Sequence, residues 1–157
     1  MRERAYGRGG LARGRRSDLG DGTYHVTARG VAKSSIFRDD FDRSAFCDLF
    51  TRTLGRFEWR CDAYCLMTTH FHLVIATRRP SLSAGMHWLG GLYAQRFNNR
   101  HERTGHLFEN RFSARVLRDE QHWQDACRYV FDNPVEAGLC KRAADWPWSG
   151  GLFGAVR

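Results

Sequence analysis

Two histidines one residue apart, His70 and His72, sit in the mostly apolar run His-Phe-His-Leu-Val-Ile-Ala over residues 70–76. In an extended chain successive side chains point to opposite faces, so both imidazoles project together while Phe71, Leu73 and Ile75 point the other way. Two neighbouring imidazoles can share a cation or a phosphate. Burying the Phe71 face under helices would leave the histidine face free for such a site. A second group lies further along the chain. Tyr129 precedes Asn133 by four residues, which on a helix places both on one face, beside His122 and Asp125. A phenol titrates at about pH 10 and becomes a nucleophile once its proton is taken. Cys61 and Cys65 raise a third possibility, a zinc set completed by His70 and His72. On one continuous strand the odd-numbered cysteines face away from the even-numbered histidines, which weighs against that set. A turn between them would remove the objection.

These groups need elements to position them. Tyr24-His25-Val26-Thr27-Ala28, β-branched in part and flanked by Gly22 and Gly30, predicts a strand. Asp39 and Asp40 supply cap chemistry for a helix whose apolar stripe is Phe41, Ala45, Phe46, Leu49, Phe50 and Leu54, ending at Gly55. Residues 57–77 have room for two strands, the second over 69–76 and ended by Pro80. Residues 81–100 predict a second helix, with Met86, Leu89, Leu92, Tyr93, Ala94 and Phe97 inward and Gln95, Arg96 and Arg100 outward, against the weakening effect of Gly90-Gly91. After a polar connection at 101–105, residues 108–117 read as an irregular strand. Asp119 caps a third helix that reaches about residue 133 and is stopped by Pro134, with Trp123, Ala126, Cys127 and Val130 as its apolar stripe. The order predicts an α+β fold: a ferredoxin-like β-α-β-β-α-β core with an antiparallel sheet, and an appended C-terminal helix carrying the tyrosine.

The chain has 157 residues, 42% hydrophobic and 13% aromatic, enough for one domain with a real core. Its 25 Lys+Arg against 17 Asp+Glu give a formal net charge of +8, which favours a polyanionic partner such as nucleic acid. Residues 1–22, with Arg2, Arg4, Arg8, Arg13, Arg15 and Arg16 among glycines, read as a flexible basic arm. A domain over 23–150 and a short tail over 151–157 follow. No run of about 18 apolar residues and no apolar leader block occur, so a cytoplasmic protein without a membrane partner is expected. Five scattered cysteines without a C-x-x-C pair read as reduced thiols.

Several segments occur in a telling order: Tyr24-His25-Val26-Thr27, the run from Tyr64 through Thr68-Thr69-His70-Phe71-His72-Leu73, Gly105-His106-Leu107-Phe108 with Arg111-Phe112, Tyr129-Val130-Phe131-Asp132-Asn133-Pro134-Val135 with Ala137-Gly138-Leu139, and Trp146-Pro147-Trp148-Ser149. Together they resemble the single-tyrosine HUH transposases of small insertion sequences, especially the REP-associated tyrosine transposases, over most of the chain. The resemblance implies that His70 and His72 are the two histidines of the HUH motif, that Tyr129 is the nucleophile, and that Asn133 completes a divalent-metal site taking Mg2+ or Mn2+. It implies a homodimer acting on single-stranded DNA, with hairpin-forming repeats as the target and the nucleoid as the place of action. Arg13, Arg15, Arg16, Arg96, Arg100 and Arg111 are the arginines expected on DNA. The family has Pro-Asn before the first histidine where this chain has Thr68-Thr69.

Two other functions compete. A domesticated relative would hold hairpin DNA without cutting it, against which stand the intact His70, His72, Tyr129 and Asn133. A histidine phosphohydrolase is suggested by His25-Val26-Thr27 together with His70-Phe71-His72, but Val74 occupies the place where a third alternating histidine belongs.

Overall fold

The computed structural model describes residues 20–156. The basic arm, with Arg13, Arg15 and Arg16, therefore lies outside the described residues but for its last three positions. Eight elements carry the fold: β1 (Gly22–Arg29), α1 (Asp40–Phe57), β2 (Arg60–Leu66), β3 (His70–Thr77), α2 (Leu82–Arg100), β4 (Ser113–Val116), α3 (Glu120–Glu136) and the short β5 (Ser149–Gly150). The sheet has the order β4-β1-β3-β2-β5 with every neighbouring pair antiparallel. The first four of these strands with α1 and α2 make the ferredoxin-like core that the sequence predicts.

Period two along β1 and β3 decides how the layers form. Tyr24, Val26, Ala28, Phe71, Leu73 and Ile75 face α1 and α2, where Phe46, Leu49, Leu89, Tyr93 and Phe97 meet them in the larger core. Val74, with Ala63, Cys65 and Met67 near the end of β2, faces α3 and packs on Ala126, Cys127, Val130 and Phe131. The histidine face of β3 is thus covered by α3 rather than left open, because the amphipathic third helix has its own apolar stripe to bury.

The elements begin where the sequence places their caps and end later. Asp39 accepts from Asp42 N–H at 3.0 Å and Asp119 from His122 N–H at 2.8 Å, each satisfying one free donor of a first helical turn. α1 runs through Gly55 to Phe57 and stops where Glu58 adopts the left-handed conformation at φ 56°. α2 passes through Gly90-Gly91 because its inward residues bury enough apolar surface to offset the glycine cost. α3 continues past Pro134 to Glu136. The proline forfeits one backbone bond, and the carbonyls of Asn133 and Pro134 still accept from Ala137 and Leu139. Residues 108–112 run outside any strand, so the irregular strand shrinks to β4, with a lone bridge between Gly30 and Phe108.

A one-residue bulge at Asp62 shapes the middle of β2: Cys61 pairs with Ile75 while Ala63 pairs with the next residue, Val74. Asp62 is buried, binds the Arg60 guanidinium at 2.7 and 3.1 Å, and accepts from Trp123 Nε1 of α3 at 2.9 Å. The third helix is therefore tied to the sheet at the bulge. Beyond β5 the chain forms a 3-10 turn (Leu152–Val156) whose Phe153 packs on Trp123 and Phe131.

Candidate active site

The turn that delivers His70 and His72 is held through its main chain. Thr69 carbonyl accepts from Gly30 N–H at 2.8 Å, Thr68 carbonyl from Ile36 and Phe37 N–H, and Met67 carbonyl from the Arg43 guanidinium at 3.1 Å. A Cβ on Gly30 would lie 2.3 Å from the Ser34 carbonyl oxygen, so only glycine lets the chain after β1 pass this close. Carbonyls come with any residue. That is why Thr68-Thr69 can stand at this strand entry, and the Thr69 hydroxyl adds a 3.1 Å hydrogen bond to His70 Nδ1.

From that turn His70 and His72 project together toward α3, ring centroids 5.0 Å apart and nearly perpendicular. On α3, His122, Ala126, Tyr129 and Asn133, spaced four, three and four, form one stripe, from which Tyr129 meets His72. The Tyr129 ring stands edge-on to His72 at 5.5 Å and to His25 at 5.8 Å. The Asn133 side chain lies close enough to His70 to favour its protonated form. Asp125 is exposed on the neighbouring stripe and bonds Gln121 at 2.9 Å instead.

The second strand face adds residues that the sequence reading did not assign to the site. His25, on β1, places Nε2 3.0 Å from His72 Nδ1. Arg29 lies opposite His70 in the β1–β3 register, and Arg115 lies opposite His25 on β4. Their signal was the parity of β1, which puts His25, Thr27 and Arg29 on the face away from Tyr24 and Val26. It could be read only once β1 was known to neighbour β3.

Burial holds all three imidazoles below the ordinary histidine range. For His25 it does so to about 4, with Arg115 and His122 adding. For His72 the pKa is well below normal, burial leading and the charges of His25, His70 and Arg29 following. His70 is lowered by burial and then by Arg29, against the nearby Asn133 side chain. The rings are therefore neutral near pH 7, each keeping one lone pair.

Does this set suit a divalent cation? His72 Nε2 is buried and has no hydrogen-bond partner among the described residues. A neutral imidazole nitrogen of this kind is a metal-ligand atom, and the Asn133 amide beside His70 supplies an oxygen. Among the described residues no three of His, Cys, Asp or Glu gather in a metal-holding group; the donors that could serve a cation here are the imidazoles of His70 and His72 with the Asn133 amide oxygen. The bulge keeps Cys61 out, while Cys65 shares the face of His72. It turns Cys61 toward the α1/α2 core and leaves Cys65 paired across from His72, so the four residues of the zinc reading are split between two faces of the sheet.

Of the arginines expected on DNA, the three among the described residues, Arg96, Arg100 and Arg111, lie away from Tyr129. Arg96 and Arg100 sit on α2, across the sheet from Tyr129; Arg100 bonds Asp39 and Asp42 at 2.7 Å and stacks over Phe41. Arg111 borders a groove of about 530 Å³ formed with Phe71, Met86, Gly90, Phe108 and Phe112.

Residues 19–133 match the family model described as "Transposase IS200 like". Comparison with curated proteins finds no match. Among solved structures, that of a REP-associated tyrosine transposase bound to a REP hairpin is similar, with a TM-score of 0.69 and 16% sequence identity, covering 83% of this chain and 77% of that one. At that identity the likeness concerns the fold.

Proposed function

This chain belongs to the IS200-like transposase family, and on that premise we propose that it cuts and rejoins single-stranded DNA through a covalent bond to Tyr129. One observation supports the reading: Tyr129 stands edge-on to His72 at 5.5 Å, and Asn133, one helical turn along, lies beside His70, as a nucleophile next to metal-ligand side chains would. In the reaction the Tyr129 oxygen, its proton released, attacks the scissile phosphorus. A P–Oη bond forms, the P–O3′ bond breaks, and the departing 3′ oxygen takes a proton. The 5′-phosphotyrosine keeps the phosphodiester energy, so a 3′-hydroxyl from another strand displaces Tyr129 without a nucleotide cofactor.

His70, His72 and Asn133 would hold a divalent cation, Mg2+ or Mn2+, whose chemistry is to polarise a non-bridging phosphate oxygen and offset the charge that builds there. The protein's own part is orientation. Burial keeps the imidazoles neutral, and α3 fixes the distance from the phenol to the ligands. Arg29, opposite His70, brings positive charge to the phosphate. The substrate of this reading is DNA with hairpin-forming repeats, which the net charge of +8 favours. A homodimer working in the nucleoid is the accompanying proposal.

The test is a denaturing gel of the full chain with labelled single-stranded DNA carrying its flanking genomic hairpins and Mn2+. Wild type is expected to give a covalent band that maps to Tyr129. Tyr129→Phe removes one oxygen and little volume, so hairpin affinity should persist while the band disappears. A band that survives in the variant, or maps to Tyr93 or Tyr64, overturns the reading.

A further inference from the structure

His25 has no part in the chemistry above, yet it is the hydrogen-bond partner of His72. Its Nε2 lies 3.0 Å from His72 Nδ1, both residues are buried, and the rings stack with centroids 5.2 Å apart. A single proton bridges the two nitrogens, so one ring donates and the other accepts. The other nitrogen of His72, Nε2, is buried without a partner among the described residues. Were His72 the acceptor, its own proton would sit on Nε2 as a buried, unanswered N–H, the kind of orphan that folded proteins rarely keep. With His72 as donor, Nε2 carries a lone pair instead. That is the form a cation takes up.

We infer that His25 is a positioning residue: its Nε2 accepts from His72 Nδ1–H and so fixes the tautomer and ring angle that present the His72 Nε2 lone pair beside Tyr129. The consequence for metal binding rests on the ligand assignment under the proposed function; the tautomer does not. Strand pairing supports a built arrangement. β1 and β3 are in continuous register from Gly22↔Thr77 to Arg29↔His70, and His25 and His72 are diagonal neighbours on one face of it. Outer partners of this kind set the orientation of metal-binding histidines, and their loss weakens metal binding about 10–100-fold.

Two readouts on the full chain test this, neither of them cleavage. Nitrogen-15 histidine spectra of the metal-free wild type should show His72 protonated on Nδ1; protonation on Nε2 overturns the inference. Mn2+ titration followed by electron paramagnetic resonance should show His25→Leu weakened about 10–100-fold. His25→Gln, whose amide oxygen accepts the same hydrogen bond, should stay near wild type. Equal Mn2+ affinity in wild type and His25→Leu overturns the inference, as does a Gln variant as weak as the Leu variant. If the Leu variant fails to fold, the wild-type tautomer and the Gln variant decide. A wild type that shows Nδ1–H but takes up no Mn2+ sinks the metal reading under the proposed function and leaves the role of His25 in place.

Discussion

His70, His72 and Asn133 are expected to fail in different ways when truncated, since their surroundings differ. His72 is buried with its ring on Tyr129, whereas His70 is part-exposed between Thr69 and Asn133. His70→Ala and His72→Ala should each abolish cleavage while hairpin binding persists; an unfolded circular dichroism spectrum in both would make them structural. Asn133→Ala removes one donor and spares the nucleophile, so cleavage should slow and be partly restored by raised Mn2+. Acid stability follows from the same burial. A histidine pKa held below its unfolded value means that the unfolded chain binds a proton the folded chain refuses. For His25, stability should therefore fall as pH drops from 6.5 toward about 4 and stay level above 6.5. The loss from this one residue is about 3 kcal/mol when complete. Urea midpoints at neutral pH and near pH 5 check it; identical midpoints would mean that water reaches these rings.

At the scale of elements, what matters is how α3 is held on β2 and β3. Val74, Ala126, Cys127 and Val130 supply the apolar contact, and Asp62 supplies a directional one through Trp123 Nε1–H. Asp62→Ala leaves that indole N–H without its acceptor and frees Arg60, which is more than half exposed and returns to solvent. Stability should drop by about 1–3 kcal/mol, and adduct formation should fall further than hairpin binding, because α3 carries Tyr129. Denaturant midpoint and gel measured together check this; equal losses in binding and adduct would detach Asp62 from the placement of α3. On the other face Arg100 and His101 clamp Asp42, so the end of α2 is pinned to the start of α1. That pairing gives Arg100 a structural duty that its outward position on the helical stripe did not reveal.

In the whole molecule, β3 lies between two layers, and the catalytic chemistry proposed here belongs to the thinner one, where a single helix covers the sheet. The basic residues before Gly20 are expected to add phosphate contacts without reading bases, because contacts to phosphate neutralise charge and carry no sequence information. Deleting residues 1–19 should weaken DNA binding and flatten its salt dependence while the cleavage position stays the same. A shifted cleavage position with an unchanged salt slope would make the arm a specificity element. Much of the site was legible before any fold was known. Period two guaranteed that His70 and His72 share a face, and the helical period guaranteed the same for Tyr129 and Asn133, because both relations depend on the local backbone alone. Order of elements and caps were legible for the same reason. The tertiary structure decided which face α3 would cover, that His25 would meet His72, and that the bulge at Asp62 would turn Cys61 away from Cys65. Those outcomes depend on strand register and on contacts between residues tens of positions apart, where no local period operates and only the packing of the whole chain selects one arrangement.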